Sequence, residues 1–187
     1  MKRSLLIGLA VFSLMALLVV GGTLAFFTDH KETENTFTAG TVEVKINEHG
    51  FTDITGWNLG ETKNKDVSVI SRGSKATYVR VCLVPQWLNE NGTDVDTNLS
   101  VGNVKLNLAN NDDWVYSDGW YYYKQVLDSG NQETSKLMNS VELVEETTGE
   151  EYSGRTLRIK VIAEGVQASH DAYKHVWGIG KLPWENQ

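Results

Sequence analysis

The chain has 187 residues, a formal net charge of −7 and 41% hydrophobic residues, which is enough material for one domain with an apolar core. An acidic surface repels phosphate backbones, and this excludes nucleic acid as the main partner. Cys82 is the single cysteine. No intramolecular disulfide can form, so packing alone must hold the fold together.

The chain begins with a segment typical of export. A short cationic start is followed by an uncharged apolar run from Leu5 to Phe27, long enough to cross a bilayer as a helix of about 20 residues. Such a run is either a removable signal or a retained anchor. Thr23 and Ala25 place small side chains at the −3 and −1 positions of a cleavage site, with Phe26 as the first mature residue. We therefore predict a signal peptide over residues 1–25.

The segment after this site, residues 26–40, has the composition of a tether. An aromatic pair comes first, residues 28–35 form a polar and charged spacer, and a β-forming stretch follows. Its apolar and β-forming residues are Phe26, Phe27, Thr36, Phe37 and Thr38. We predict that this tether takes part in assembly. The alternative is that residues 36–46 form the first strand of the chain's own domain.

Residues 41–187 show the period-2 alternation of β-strands. Val42, Val44 and Ile46 share one face of the first strand, and a turn-rich stretch with several glycines covers residues 47–64. Residues 67–69 then indicate a short strand.

The clearest strand covers residues 75–84. Its pattern places Val79 and Val81 on one face and Arg80 and Cys82 on the other. Cys82 is thus expected to be a small residue of the sheet, in preference to a reactive thiol. A proline follows at position 85, where it either ends the strand or marks a sheet edge.

An aromatic hairpin is predicted around Asp118-Gly119, a dipeptide typical of a tight turn. The aromatic residues on its two arms are Trp114, Tyr116, Trp120, Tyr121, Tyr122 and Tyr123. Two interpretations remain open. One face of the hairpin packs on the core, or the aromatic side chains form a platform for carbohydrate.

Further strands are indicated at 101–108, around Val141 and Leu143, and at 157–163, and residues 169–177 have the composition of a short helical turn. Outside the signal, no stretch has a sustained helical period. Seven or eight short strands separated by turns predict an all-β fold. We expect a single jelly-roll-like antiparallel β-sandwich preceded by a cleavable signal helix.

No catalytic centre is indicated. His170 and His175 are five residues apart with no Glu between them, whereas a helical zinc peptidase motif needs a spacing of four and a Glu. Asp94 and Asp96 lie in a polar loop that could bind calcium but lacks the spacing of a twelve-residue calcium loop. The sequence therefore predicts no catalytic residue, no metal and no cofactor.

Five segments carry a family resemblance. Gly21–Asp29 and Asn35–Val42 resemble the N-terminus of the TasA/camelysin group of exported matrix proteins. Lys75–Val84, Asp118–Lys124 and Leu157–Gln167 resemble later blocks of the BsaA-like branch of that family. The N-terminal segments carry most of the resemblance, since each later block taken alone is weak.

This resemblance implies a secreted subunit of biofilm-matrix fibres, located in the extracellular matrix or at the cell surface. The camelysin name also carries a peptidase activity, which the residues above do not support, so we predict that the chain is not an enzyme. Its implied partners are further copies of itself in a head-to-tail polymer and a SipW-type signal peptidase during export. A matrix polysaccharide or a minor fibre subunit is a further possible partner. Lys-to-Asn or Lys-to-Asp cross-links are an option that the sequence assigns to no residue. The alternative function is a monomeric secreted module that binds polysaccharide through the aromatic hairpin.

Overall fold

A computed structural model describes most of the chain after the predicted signal. The described residues are 28–32, 42–49, 53, 55–58, 60–109, 112–145, 149–152 and 154–186. The predicted signal peptide lies outside them. No helix in the described ranges is long and apolar enough to cross a membrane.

The described residues form ten strands and one short α-helix. In chain order the strands are β1 (Thr28–Glu32), β2 (Val44–Asn47), β3 (Thr62–Ser71), β4 (Thr77–Trp87), β5 (Val104–Leu108), β6 (Trp114–Ser117), β7 (Trp120–Tyr123), β8 (Gln132–Glu133), β9 (Met138–Leu143) and β10 (Leu157–Gln167). Helix α1 (Ala172–Val176) follows β10, and 3-10 turns cover Glu150–Tyr152 and Pro183–Asn186.

The strands build two antiparallel sheets. The first has the order β1-β10-β4-β7-β6, and the second has the order β2-β3-β9-β5 with β8 paired to β3. Every strand pairing is antiparallel. The predicted antiparallel β-sandwich is therefore confirmed.

The main core lies between the two sheets. Val42 and Val44 are fully buried, and Val79 and Val81 on β4 are almost fully buried, while Arg80 between them is half-buried on the opposite face. These positions alternate as the sequence predicted. Because the buried residues come from both sheets, the inner faces share one apolar cluster.

Strand β3 is longer than the sequence indicated. The predicted strand covers residues 67–69, and residues 62–64 fall in the stretch predicted to be turn-rich, but the strand begins at Thr62. The register with β9 shifts between Asn64 and Val67, and Lys65 in this irregular region is 2% exposed and contacts the Glu48 carboxylate. Pairing with Glu48 allows a charged residue to be buried there, which hydropathy alone does not predict.

Pro85 lies inside β4 and does not end it. Thr77 exchanges backbone hydrogen bonds with Leu127 on the side of β4 that faces β7. Because backbone groups alternate in direction along a strand, the other odd-numbered residues of β4 direct theirs to the same side. Pro85 is one of them. The pairing with β7 stops at Val81. Pro85, which has no N–H, thus lies on a stretch of β4 that has no strand partner on this side in the described residues, as expected for an edge.

The C-terminal segment covers the outer face of the first sheet. A second apolar cluster joins Tyr122 of β7 and Val166 of β10 to Tyr173, Trp177 and Leu182. The predicted helical turn is confirmed as α1, and its role is to bury this outer face. The first sheet is therefore covered on both faces over part of its area.

The two sheets pack closely together at Gly165 of β10. A Cβ atom at this position would lie 2.7 Å from Val44 Cγ1 and 3.2 Å from Val42 Cγ1. Both valines are fully buried, so neither can move aside without disturbing the core. Glycine is needed at position 165 because it leaves room for the side chains of Val42 and Val44 to pack against β10.

We expect Gly165→Ala to destabilise the fold by about 1–3 kcal/mol, because the added methyl overpacks the core. Gly180→Ala is the matched control, since nothing lies within 4 Å of the Cβ that it would add; its expected effect is within about 1 kcal/mol. Urea unfolding of both variants measures the difference. Equal stabilities would show that the valine contact is not constraining.

Candidate assembly edge

Strand β1 forms one edge of the first sheet and pairs with a single strand. Its five residues lie opposite β10 in antiparallel register, from Thr28 opposite Val166 to Glu32 opposite Ile162. The strand begins two residues after Phe26, the predicted first mature residue. If cleavage occurs at the predicted site, the mature N-terminus leads directly into this edge strand.

Beyond β1, the edge of β10 continues for five more residues, Leu157 to Val161. These residues pair with β4 on their other side. The pairing with β1 ends at Ile162, so β1 does not extend along this stretch. Leu157, Ile159 and Val161 are buried at 0–4% exposure, so this stretch combines an apolar inner face with backbone groups directed along the edge.

Strand β2 is held in place by the Glu133 carboxylate of β8, which reaches across the outer face of β3. Its Oε1 accepts a hydrogen bond from Asn47 Nδ2 at 2.9 Å and a short one from Ser68 Oγ, and it lies 4.0 Å from His49 Nε2. The Ser68 hydrogen bond, assisted by the one from Asn47 and by the electrostatic effect of the nearby His49, lowers the pKa of Glu133. We call Glu133, Asn47 and Ser68 the β2 brace.

A buried ion pair lies next to the β2 brace. The Lys65 ammonium contacts Glu48 at the end of β2. Burial lowers the pKa of Lys65, while Glu48 and the nearby Asp53 act in the opposite direction. Asp53 itself accepts a hydrogen bond from Arg158 Nε at 2.9 Å. The segment that follows β2 is thus linked to the second sheet through Lys65 and to the first sheet through Arg158.

The predicted cleavage residues Thr23, Ala25 and Phe26 lie outside the described residues. So do the tether residues Phe27, Thr36, Phe37 and Thr38. The prediction of a spacer at 28–35 is wrong for its first five residues, because Thr28–Glu32 form strand β1. Charged residues are common on edge strands, where they do not have to be buried, and their polarity hid the strand in the sequence.

The aromatic hairpin forms as predicted, with its turn at Asp118 (φ 49°) and Gly119 (φ 85°). Trp114, Tyr122 and Tyr123 are buried, and Trp120 and Tyr121 are half-buried. Tyr116 is 62% exposed, and its ring centroid lies 4.9 Å from that of Tyr121. The arrangement agrees with the core-packing interpretation for most of these rings and leaves Tyr116 as the exposed one.

Sequence reasoning missed the role of Arg80, which organises the outer face of the first sheet. Its Nε and Nη2 donate to Glu164 Oε2 at 2.8 and 2.7 Å. Its guanidinium carbon lies 4.2 Å from the Trp120 ring centroid and 4.8 Å from that of Trp177. An arginine in the middle of an apolar strand was the available signal, but its partners are distant in sequence.

The residues considered for chemistry do not come together. Burial raises the pKa of the Cys82 thiol, which disfavours the reactive thiolate. Asp96 accepts hydrogen bonds from Asn98 and lies 3.8 Å from Arg155, so its carboxylate is already engaged. Within the described ranges, no three His, Cys, Asp or Glu side chains are placed to hold a metal ion.

The Ser68, His49 and Glu133 side chains include the residue types of a hydrolytic triad but not its geometry. Ser68 and Glu133 both approach the same His49 nitrogen, at 3.4 and 4.0 Å. In a triad the carboxylate orients the other nitrogen. Ser68 is also 1% exposed, so the group is a structural hydrogen-bond network.

We expect Glu133→Gln to lower stability at neutral pH by up to about 1 kcal/mol, since charge-assisted hydrogen bonds become neutral ones. The folded-state pKa is depressed, so the contribution is fully present above the ordinary glutamate pKa of about 4.3 and is lost as pH falls through the folded value. Thermal unfolding of wild type and variant should therefore converge below about pH 4. Glu150→Gln, at an exposed site, is the control, and a difference that persists in acid would contradict the assignment.

Comparison with known proteins places the chain in a family. No curated protein is significantly similar to it. Among solved structures, a DraE adhesin in complex with bromamphenicol aligns with 72% of this chain and 100% of its own, at 14% identity and a TM-score of 0.32. The family described as camelysin metallo-endopeptidase matches residues 1–172. The chain therefore belongs to the camelysin family, which is also the TasA family.

Proposed function

We propose that the mature chain is a secreted structural subunit that polymerises into extracellular biofilm-matrix fibres by exchange of its N-terminal strand. The observation that carries this proposal is the position of β1, which pairs with one neighbour along five residues and directly follows the predicted cleavage site. An edge strand attached to one neighbour can leave its sheet without breaking the core.

Exchange is energetically accessible because the same contacts form in both states. When β1 of one copy occupies the edge of β10 in another, each residue from Thr28 to Glu32 regains its partner. The net free energy then depends on the linker and on the entropy of association. Nine residues, 33–41, connect β1 to Val42.

Head-to-tail exchange produces a filament. Each copy offers one β1 strand and one β10 edge, and such a heterologous contact does not close on itself unless the rotation returns to the start. The predicted tether residues on either side of β1 would lie at the junction between subunits.

Cleavage by a SipW-type signal peptidase would release this reaction. Before cleavage, the apolar run from Leu5 to Phe27 holds the N-terminal end of β1 at the membrane. After cleavage, Phe26 and Phe27 become a mobile apolar end beside the exchanging strand. Assembly would then be confined to the outside of the cell.

The exchange can be tested with a reversible lock. Glu32 and Ile162 lie opposite each other, at a separation that a disulfide can bridge in antiparallel pairs. We expect the mature protein with Glu32→Cys and Ile162→Cys, in a Cys82→Ser background, to form no filaments when oxidised as a monomer. Reduction should restore filaments in electron micrographs.

Oxidation after assembly should instead give a ladder of covalent oligomers on a non-reducing gel. Cys82→Ser alone is the control and should polymerise under both redox conditions. Filaments that form from oxidised monomers at the normal rate would rule out exchange of β1. Absence of filaments from every variant, including the control, would count against the structural function itself.

The family description also names a metallo-endopeptidase activity, and we propose that this chain acts without it. The described residues offer no group of three metal-ligating side chains. We expect the pure mature protein, supplied with Zn²⁺, to leave an unfolded protein substrate intact on a gel. Cleavage that a chelator abolishes, and that the purified protein retains through a second chromatographic step, would contradict this expectation.

A further inference from the structure

A cleft lies between the β6–β7 turn and the C-terminal segment, on the outer side of the first sheet. Its volume is about 570 Å³, within the range of small-ligand sites. The residues that line it are Ser117, Asp118, Tyr122, Gly178, Ile179, Gly180, Lys181 and Pro183. We call it the hairpin–tail cleft.

The polar groups of the cleft stand on opposite walls. Asp118 projects from the turn, where Ser117 Oγ donates to its Oδ2 at 3.3 Å, and Lys181 projects from the C-terminal segment. Both residues are exposed. Neither forms an ion pair with a described residue, so a carboxylate acceptor and an ammonium donor face the same space without neutralising each other.

The apolar part of the cleft is already in place without a ligand. Tyr122 is 2% exposed and packs edge-on against Trp177 with ring centroids 5.7 Å apart. Leu182 is buried, and its N–H donates to Glu185 Oε2 at 3.1 Å, which holds the backbone at the start of the C-terminal 3-10 turn beside Pro183. A preformed wall lowers the entropic cost of binding.

We propose that the hairpin–tail cleft binds a neutral pyranose residue of a polysaccharide. A pyranose carries hydroxyl groups that both donate and accept, and apolar C–H faces between them. Asp118 can accept from ring hydroxyls, Lys181 and Ser117 can donate to them, and Ile179 and Pro183 offer apolar contact. The opposite charges of Asp118 and Lys181 favour a neutral ligand over an anionic one.

This site shares Tyr122 with the aromatic platform considered from sequence, but its other lining residues are different. The exposed ring of Tyr116 packs against Tyr121, whereas the cleft uses the turn and the C-terminal segment. Binding here requires the folded monomer and does not rest on polymerisation. The inference can therefore fail while the proposed fibre function stands, and the reverse also holds.

The test is a titration of ¹⁵N-labelled protein. This protein carries Glu32→Cys and Ile162→Cys in the Cys82→Ser background and is oxidised, so that the disulfide keeps it monomeric. Maltose, lactose and N,N′-diacetylchitobiose are the probes, each added up to about 50 mM because ligands of this size bind in the millimolar range. We expect at least one disaccharide to shift the amide signals of Gly119, Gly178 and Gly180 with a saturable dependence. No shift with any probe would overturn the proposal, as would shifts confined to Tyr116 and its neighbours.

Asp118→Asn is the decisive variant. Asn tolerates the positive φ of this turn position, so the hairpin is retained while the charged acceptor is lost. We expect affinity to fall about tenfold or more. Asp128→Asn, at an exposed site outside the cleft, should bind like wild type. Equal affinity in all three proteins would refute the assigned role of Asp118.

Discussion

The pairing of β4 with β10 is the interaction on which the rest of the molecule depends. Eleven opposed residue pairs join the two strands, from Leu157 opposite Trp87 to Gln167 opposite Thr77. Their inner faces supply much of the apolar core, and their outer faces carry Arg80 and Glu164, which fix the C-terminal segment. Both the assembly edge and the hairpin–tail cleft lie beside this pair, one strand away on either side.

A domain without a disulfide has to gain its stability from such long-range pairing. Strands β4 and β10 pair across 70 to 90 positions of sequence, and such pairing has a high cost in loop closure, which only a large buried area offsets. Gly165 lets Val44 come within contact of β10, and Glu133 ties β2 to β3 and β8 by hydrogen bonds. The region around β2 is thus well anchored, whereas β1 is hydrogen-bonded to β10 alone among the described strands. The proposed exchange involves this strand, which lies at the end of its sheet.

The sequence predicted those features that depend on neighbouring residues. Alternation identified β4 and β10, the Asp118-Gly119 dipeptide identified the hairpin, and the lack of a helical period identified the all-β class. It could not predict features that depend on distant partners. Lys65 is polar in every local pattern, yet Glu48 allows it to be buried. Glu133 lies 86 residues from Asn47, and no local signal connects them. The charged residues of β1 match a loop in composition, because an edge strand does not need an apolar face.

Pro85 keeps one stretch of an interior strand from becoming a second docking site. It lies on β4 beyond the β7 pairing, and its nitrogen carries no hydrogen for an incoming chain. Two residues further on, the Trp87 carbonyl already accepts a hydrogen bond from Asp96 N at 2.8 Å. A regular antiparallel strand is therefore disfavoured on this stretch. Strand addition to the first sheet is left to its two outer strands, β1 and β6, and the proposed exchange at the β1 end would join subunits along a single line.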